Sequence, residues 1–368
     1  MKKNKSLTVI GMMTGTSFDG IDAAIIRTNG EKIDELGLTK AINYSEEFRK
    51  KIRLLLGKKV DLELFLDVNN KLAVRHAELV NQLLKKANLK NNEIDLIGFH
   101  GQTIYHNSGA GHTLQIGNAA LLSELTGISV VSDFRTKDIA TGGQGAPLVP
   151  LFHKAICESL GKPIAILNIG GVSNITYLGS NNEIIAFDTG PGGALLDDWM
   201  YHNVGKSFDD EGNFAKQGLP YKELLKHFME NKYFEKKPPK SMDRNAFKNV
   251  VEKLHNLNAK DAAATLTYFI AESIYSASKF LPQPPTKWLV CGGGRKNKFL
   301  LSILKKEYGL NILLMDTVLL DGHVADGDFM EAQAFGFLAT RSYYHLPITL
   351  STTTGSTRAV SGGAFYRF

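Results

Sequence analysis

Val9-Ile10-Gly11-Met12-Met13-Thr14-Gly15-Thr16-Ser17-Phe18-Asp19-Gly20-Ile21-Asp22-Ala23-Ala24-Ile25-Ile26 decides how this chain is read. Two apolar runs flank a tight turn of Gly, Thr, Ser and Asp. That pattern predicts a hairpin of two buried strands whose turn presents backbone N–H groups and hydroxyls to an anion. A triphosphate suits such a turn, because glycines let the backbone come close and no bulky side chain intervenes. The spacing is neither the Walker pattern nor GxGxxG, so those phosphate-loop folds are not supported. Taken alone, the stretch is equally well explained as an ordinary glycine-rich hairpin turn.

Three later stretches add weight. Ile164-Ala165-Ile166-Leu167-Asn168-Ile169 is an apolar strand running into Gly170-Gly171-Val172-Ser173, and a second strand leaves from Asn174 to Leu178. Ile184-Ile185-Ala186-Phe187-Asp188-Thr189-Gly190-Pro191-Gly192-Gly193 reads as a strand ending in an acid, then a helix start. Trp288-Leu289-Val290-Cys291-Gly292-Gly293-Gly294 is a strand delivering a triple-glycine turn before a helix from Lys296. Each glycine cluster is a weak signal. A phosphate-type hairpin in each half, with a late Gly-Gly-Gly turn, is a more specific one.

The rest of the chain fits a helix-and-strand alternation. Ser45–Leu56 and Asp61–Leu89 show helical periodicity, the latter through Leu62, Phe65, Leu72, Leu79 and Leu83, and strands are expected at Ile94–Phe99 and Ile128–Val131. The glycine-rich run from Asp138 to Pro150 reads as a crossing between domains. Helices are expected at Asp261–Leu281 and about Asp328–Tyr344, and residues from Ser356 are expected to return to the first domain. The 368 residues suffice for two domains with sizeable cores, expected at 1–140 plus about 345–368 and at 141–344.

Composition bounds the function. With 43% hydrophobic and 22% charged residues the chain is an ordinary globular protein. The net charge of +6 comes from scattered pairs such as Lys50-Lys51, Lys85-Lys86 and Lys236-Lys237, a solvated surface rather than a nucleic-acid stripe. Cys157 and Cys291 offer neither a disulfide framework nor metal-ligand spacing, and their apolar surroundings predict buried thiols. The apolar run behind the basic Met1-Lys2-Lys3-Asn4-Lys5 breaks at Gly11, too soon for a signal peptide, and no run approaches the roughly 18 apolar residues of a membrane span. A cytoplasmic location is expected.

Several side chains are placed to do chemistry. Asp188, at a strand's carboxyl end beside a glycine turn, sits where α/β sheets bind ligands; the competing account is a cap for the helix near Gly193, from which Pro191 and Gly192 separate it. Asp19 is a candidate for holding magnesium through water, and equally a turn aspartate bonding its own backbone. Arg135, after a buried strand, suits a carboxylate or phosphate clamp or a plain ion pair. His100-Gly101-Gln102-Thr103, with His106 and His112 nearby, reads as a polar loop at the cleft and fits no zinc pattern. Glu331, early in the last long helix, either faces the cleft or only favours a helix N-terminus.

Together these stretches resemble the anhydro-N-acetylmuramic acid kinases, within the actin/hexokinase/heat-shock-chaperone superfamily. The resemblance runs in order through Gly15–Asp22, His100–Thr103, Thr113-Leu114-Gln115-Ile116-Gly117, Asp133-Phe134-Arg135, Gly142–Pro150, Asn168–Gly171, Asp188–Gly192, Cys291–Gly294 and Met330-Glu331-Ala332. It implies an α/β fold of two actin-like (ribonuclease H-like) domains flanking a deep cleft that closes on its ligands. It also implies an ATP- and Mg2+-dependent kinase of cell-wall recycling, which opens the 1,6-anhydro ring with water and phosphorylates the freed 6-hydroxyl to give N-acetylmuramic acid 6-phosphate. Asp188 matches the catalytic base and Glu331 an acid near it. ATP is expected at Gly15, Thr16, Ser17, Phe18, Asp19, Gly20, Ile21 and Asp22, at Gly170 and Gly171, and at Gly292, Gly293 and Gly294. The sugar is expected at His100, Gln102 and Arg135, and no metal ligand is assigned. The partner expected is the small-molecule sugar, with no nucleic acid and no membrane; a homodimer stays open. Gly193 stands where the family pattern has Asn, and Met242-Asp243 where it has Thr-Gly. A nucleotide-switched scaffold and an ordinary hexokinase-like sugar kinase are the rival readings.

Overall fold

The computed structural model describes residues 4–15, 18–56, 59–243, 246–320 and 323–368, so Thr16 and Ser17 lie outside the described residues. The chain divides into two compact units. One holds Met1–Glu158 and Phe329–Phe368 with a short piece at Leu320–His323; the other holds Ser159–Leu319 and Val324–Asp328.

The first unit opens with β1 (Leu7–Met13), β2 (Gly20–Thr28) and β3 (Ile33–Asn43), an antiparallel meander. Next come α1 (Glu46–Leu54), α2 (Leu62–Ala87), β4 (Leu96–Phe99), a side hairpin of β5 (Gln102–Asn107) and β6 (His112–Ile116), α3 (Ala119–Thr126), β7 (Val130–Ser132), α4 (Thr136–Ala140) and α5 (Pro150–Ile156). Helix α2 starts where the Asp61 carboxylate accepts from the Leu64 N–H, and ends at Asn88 in the left-handed conformation. Strands β4 and β7 run parallel to β1, so the sheet reads β7-β4-β1-β2-β3 from that side. Five strands in the order 3-2-1-4-5, with the second antiparallel, form the ribonuclease H-like pattern.

The second unit repeats it. Strands β8 (Ile164–Ile169), β9 (Val172–Leu178) and β10 (Ile184–Pro191) form an antiparallel meander, followed by α6 (Gly193–Val204), α7 (Lys222–Met229), α8 (Lys248–Glu252) and α9 (Ala259–Ala277). Strand β11 (Lys287–Cys291) pairs parallel with β8, and after α10 (Lys298–Lys306), β12 (Ile312–Leu314) pairs parallel with β11. The order is again 3-2-1-4-5. Each unit has its own apolar core, one around Ile10, Leu72, Val80 and Phe99, the other around Leu167, Trp199, Phe269 and Trp288.

The chain then returns to the first unit with α11 (Met330–Tyr343) and β13 (Ala364–Tyr366), which pairs antiparallel with β7. Helix α11 is buried on every side from Ala332 to Thr340, as its apolar sequence requires. Its backbone lies directly on the sheet. Gly11 and Gly98 are neighbours on β1 and β4; a Cβ at Gly11 would stand 1.9 Å from the Ala332 carbonyl oxygen, and one at Gly98 2.2 Å from that of Phe335. Gly336 answers from the helix, where a Cβ would stand 3.2 Å from the Gly11 nitrogen.

Three expectations are corrected. The units part at Glu158 and Phe329, not at 140 and 345, because α11 packs on the first sheet and α5 packs on α11. The glycine-rich run is therefore no crossing: the buried Asp138 carboxylate folds it inward, accepting from the Gly145 N–H (2.8 Å) and from the hydroxyls of Thr349 and Thr354 (2.5 and 2.7 Å). The helix expected from Lys296 begins at Lys298, after a 3₁₀ turn over Gly293–Lys296.

Gly11→Ala should cost stability at or above the upper end of the roughly 1–3 kcal/mol of an overpacked core, because the clash is with backbone. Gly161→Ala, where a Cβ would meet nothing within 4 Å, should stay within about 0.5 kcal/mol. The midpoint of urea unfolding followed by far-UV circular dichroism checks both; equal midpoints would refute the packing account.

Candidate active site

In the first unit, β1 and β4 are parallel neighbours, so the segments after Met13 and after Phe99 leave from the same edge of the sheet. They brace each other. The Thr14 hydroxyl donates to the Gly101 carbonyl (2.8 Å), and the fully buried Gln102 amide donates to the Gly15 carbonyl (3.0 Å). Phe18, at φ 57°, and Ile21 send their side chains into the core, which leaves their backbone to meet any ligand. Asp19 is exposed and Asp22 half-buried. Burial, then the charges of Asp19 and Asp22, raise the phenol of buried Tyr44 far above its ordinary value.

Three distant sequence positions converge next to this turn. Arg135 donates to His100 Nε2 from Nε (3.1 Å) and Nη2 (3.0 Å), and from Nη1 to the Gly145 carbonyl (2.5 Å). An imidazole nitrogen that accepts from a guanidinium carries no proton, so the ring's proton sits on Nδ1. Burial, then the Arg135 charge, holds the His100 pKa well below its ordinary value and keeps the ring neutral. The His100 ring lies 4.5 Å from that of Phe335, one helical turn after Glu331 on the same face of α11. Glu331 is exposed as a residue, yet desolvation of its carboxyl raises its pKa, with the Arg135 charge opposing. A cavity of about 240 Å³ next to His100 is lined by the polar Thr113, Gln115, Asp133 and Thr136 and by the apolar Phe99, Leu114 and Ile116.

In the second unit, β8 and β11 are likewise parallel neighbours, so Gly170-Gly171 and Gly292–Gly294 leave from one sheet edge. The carbonyls of Gly171 and Gly170 accept from the N–H groups of Gly192 (3.0 Å) and Gly193 (2.8 Å), capping the start of α6. The turns press together: a Cβ at Gly192 would stand 2.2 Å from the Gly170 oxygen, and one at Gly292, where φ is 76°, 2.2 Å from Asn168 Oδ1. Gly293 differs, being exposed with nothing within 4 Å of such a Cβ. Behind this turn the buried Arg295 bridges Asp316 (2.7 Å) and Asp328 (2.8 Å) and donates to the Gly292 carbonyl (3.2 Å). Its guanidinium brings the Asp328 carboxyl down to about 2.

Asp188 does not end its strand as expected. Strand β10 continues to Pro191, and a register shift between Asp188 and Gly190 marks a bulge, the kind of irregularity that re-aims a side chain. Nor does Asp188 cap α6, whose start has no side-chain cap. Its carboxylate accepts from the Met242 N–H (2.7 Å), its own N–H donates to the Lys240 carbonyl (3.0 Å), and its carbonyl accepts from the Tyr233 hydroxyl (2.6 Å). The Met242 contact is made by backbone, so the departure from Thr at this position spares it. At Gly193 a Cβ would meet nothing nearer than 3.6 Å, so packing does not dictate the departure from Asn.

The candidate residues thus fall into two groups, one in each unit: Gly15, Phe18–Asp22, His100, Gln102, Arg135 and Glu331 in the first, and Asp188 with the three glycine turns in the second. Thr14, Tyr233, Lys240, Met242 and Arg295 were not singled out for roles by sequence reading. They act through hydrogen bonds and charge on partners from 3 to more than 50 residues away, a relation that no local spacing carries.

Comparison with known proteins supplies the family. A family model described as anhydro-N-acetylmuramic acid kinase matches residues 7–368. The chain is 42% identical over 360 residues to the anhydro-N-acetylmuramic acid kinase of Rhodospirillum rubrum, covering 97% of this chain and 93% of that protein. It is 41% identical over 371 residues to the protein of the same name from Rhodopseudomonas palustris, covering 98% and 99%. Among solved structures, a dehydratase activator from Clostridium difficile with bound ADPNP aligns over 92% of this chain and 96% of its own, at 12% identity and a TM-score of 0.47. The matching model spans nearly the whole chain and the relatives share about two residues in five; the chain belongs to the anhydro-N-acetylmuramic acid kinase family, phosphotransferases that act on an alcohol group.

Proposed function

We propose that this chain uses ATP to convert anhydro-N-acetylmuramic acid into N-acetylmuramic acid 6-phosphate, opening the 1,6-anhydro ring with water as it phosphorylates the 6-oxygen, and that it does so in the cytoplasm in cell-wall recycling. The observation that carries the reading is Asp188: a nearly buried carboxylate, re-aimed by a bulge and tied at its amide, its carbonyl and one carboxylate oxygen. A general base must be held in one orientation to act on one water.

In this reading Asp188 takes a proton from water as the water oxygen bonds to the anomeric carbon. The bond from that carbon to the 6-oxygen breaks, and the 6-oxygen takes the electron pair and attacks the γ-phosphorus. The bond from the γ-phosphorus to the β,γ-bridging oxygen breaks in turn, and ADP leaves. Arg135, fixed by neutral His100, supplies positive charge for an anionic part of a substrate. Glu331, whose carboxyl desolvation holds above its ordinary value, is the second carboxyl and the group suited to passing a proton near the reacting atoms. The glycine turns offer backbone N–H groups to the phosphates.

Magnesium fits as an ion carried mainly by the nucleotide. No group of three or more His, Cys, Asp or Glu able to cage a metal occurs among the described residues, and Mg2+ with nucleotides keeps waters and needs one or two carboxylates. Exposed Asp19, beside the first turn, would hold it through water; the bound ion would neutralise phosphate charge. No described helix is long and apolar enough to cross a membrane.

Asp188→Asn keeps the shape and removes the basicity, so turnover should fall by about 10²–10⁴-fold while calorimetry still registers nucleotide and sugar binding. Retention of most of the wild-type rate would move the role to another group, Glu331 first. Product formed in ¹⁸O-water should carry the label at the anomeric hydroxyl; unlabelled product would refute hydrolytic opening. Gly293→Ala, which packing tolerates, should raise the KM for ATP about tenfold, the scale of one lost charged hydrogen bond, with little change in Tm. An unchanged KM would remove that turn from the nucleotide site.

A further inference from the structure

Lys240 is a buried cation that the reaction above does not use. It is 2% exposed, and its Nζ lies 4.6 Å from the ring centre of Tyr233, 4.6 Å from that of Phe280 and 5.7 Å from that of Phe187. Among the described residues it donates one hydrogen bond, to the Tyr233 carbonyl at 3.1 Å. A lysine is seldom buried without a carboxylate partner, so the ring faces and the carbonyl are what hold this ammonium.

The rings that cage it belong to the supports of Asp188. Phe187 precedes Asp188 on β10, and the Tyr233 hydroxyl donates to the Asp188 carbonyl. The Lys240 carbonyl accepts from the Asp188 N–H, and two residues on, the Met242 N–H holds the carboxylate. The side chain of Lys240 therefore pins the segment whose backbone grips Asp188 at two points.

We propose that Lys240 is a positioning residue: its ammonium, clamped by the three rings and the Tyr233 carbonyl, sets the 240–242 segment that orients Asp188. This rests on the reading of Asp188 as the base and adds to it a dependence of turnover on the charge of a residue that touches neither substrate. Neutralising the amine removes the attraction to all three rings at once and weakens the bond to Tyr233, so the segment loosens and the carboxylate loses its orientation.

The charge is also poised to be lost. Burial first, then Lys279, with Lys236 also contributing, lowers the Lys240 pKa to about 8, while Glu235 and Asp188 oppose; these are the charged groups that face it among the described residues. Its pKa in the unfolded chain is near the ordinary 10.5. Between these values the unfolded state binds more protons than the folded one, so this residue makes the protein more stable as pH rises from about 8 to 10.5. Turnover moves the other way. An enzyme whose activity falls while its stability from the same residue rises is the signature of a charge kept for positioning rather than for folding.

The test is the pH profile of kcat between pH 6.5 and 10, with anhydro-N-acetylmuramic acid and ATP saturating. The wild-type protein should lose turnover above about pH 8. Lys240→Met should lower kcat at pH 7 about 10–100-fold, the usual cost of removing a group that orients a reacting one, with the KM for ATP within about twofold. Lys240→Arg, which stays charged, should recover most of that loss and abolish the fall above pH 8. A flat wild-type profile, or the same alkaline fall in Lys240→Arg, overturns the proposal. Should both variants fail to fold by circular dichroism, the wild-type profile still decides it. Asp188→Asn separates the two readings: full activity there removes the base, whereas an inactive Asp188→Asn beside unaffected Lys240 variants removes only the positioning role.

Discussion

The contact between α11 and its sheet governs the first unit. Two glycines side by side on parallel strands, Gly11 and Gly98, leave a bare strip of backbone, and the carbonyls of Ala332 and Phe335 settle onto it at distances no side chain would permit. Everything near the site there follows from that seat. It fixes the height of Phe335, whose ring meets those of His100 and Phe134, and it fixes Glu331 one turn earlier. His100 in turn locks Arg135 by accepting two of its N–H groups. A packing constraint between backbones thus becomes the position of a carboxyl and a guanidinium.

The second unit reaches the same end by other means. Its sheet has the same strand order, but its key carboxylate sits on the third strand of the meander instead of on a helix. Three glycine turns lie together at that edge; Gly192 and Gly292 are compressed, and Gly293 is open. The compressed glycines are needed by the fold; the open one, Gly293, is free to meet a ligand. Hydrogen bonds from Tyr233 and Met242, and one to the Lys240 carbonyl, replace the helix packing that holds Glu331. Stiffness comes from polar contacts here and from close backbone approach there.

Most of the strand framework was legible because strand, glycine turn, strand is a local pattern. The hairpins β1–β2 and β8–β9 and the strand before Gly292 stand within a few residues of where periodicity puts them. The limits of the first domain were not legible. The stretch from Asp138 to Pro150 has the composition of a linker, and only the buried Asp138 carboxylate, bonded to threonines more than 200 residues later, makes it part of a core. The bulge at Asp188 was hidden for a related reason, since neither the apolar run before Asp188 nor the glycine and proline after it shows a register. The convergence of His100, Arg135 and Glu331 needed the glycine seat of α11, which joins residues 11, 98 and 336. Lys240 carries no signal in the sequence, because its cage comes from residues 187, 233 and 280.

The split of the first unit across the chain has a consequence for biosynthesis. The second unit is nearly continuous, from Ser159 to Leu319, whereas the first sheet lacks its covering helix and its edge strand until residues 330–366 have been made. On the ribosome the strip at Gly11 and Gly98 must therefore stay uncovered while about 170 residues of the other unit emerge and become able to fold. The order of completion reverses the order of synthesis. The unit that begins first finishes last, and the span between is the period in which the nascent chain is most open to aggregation.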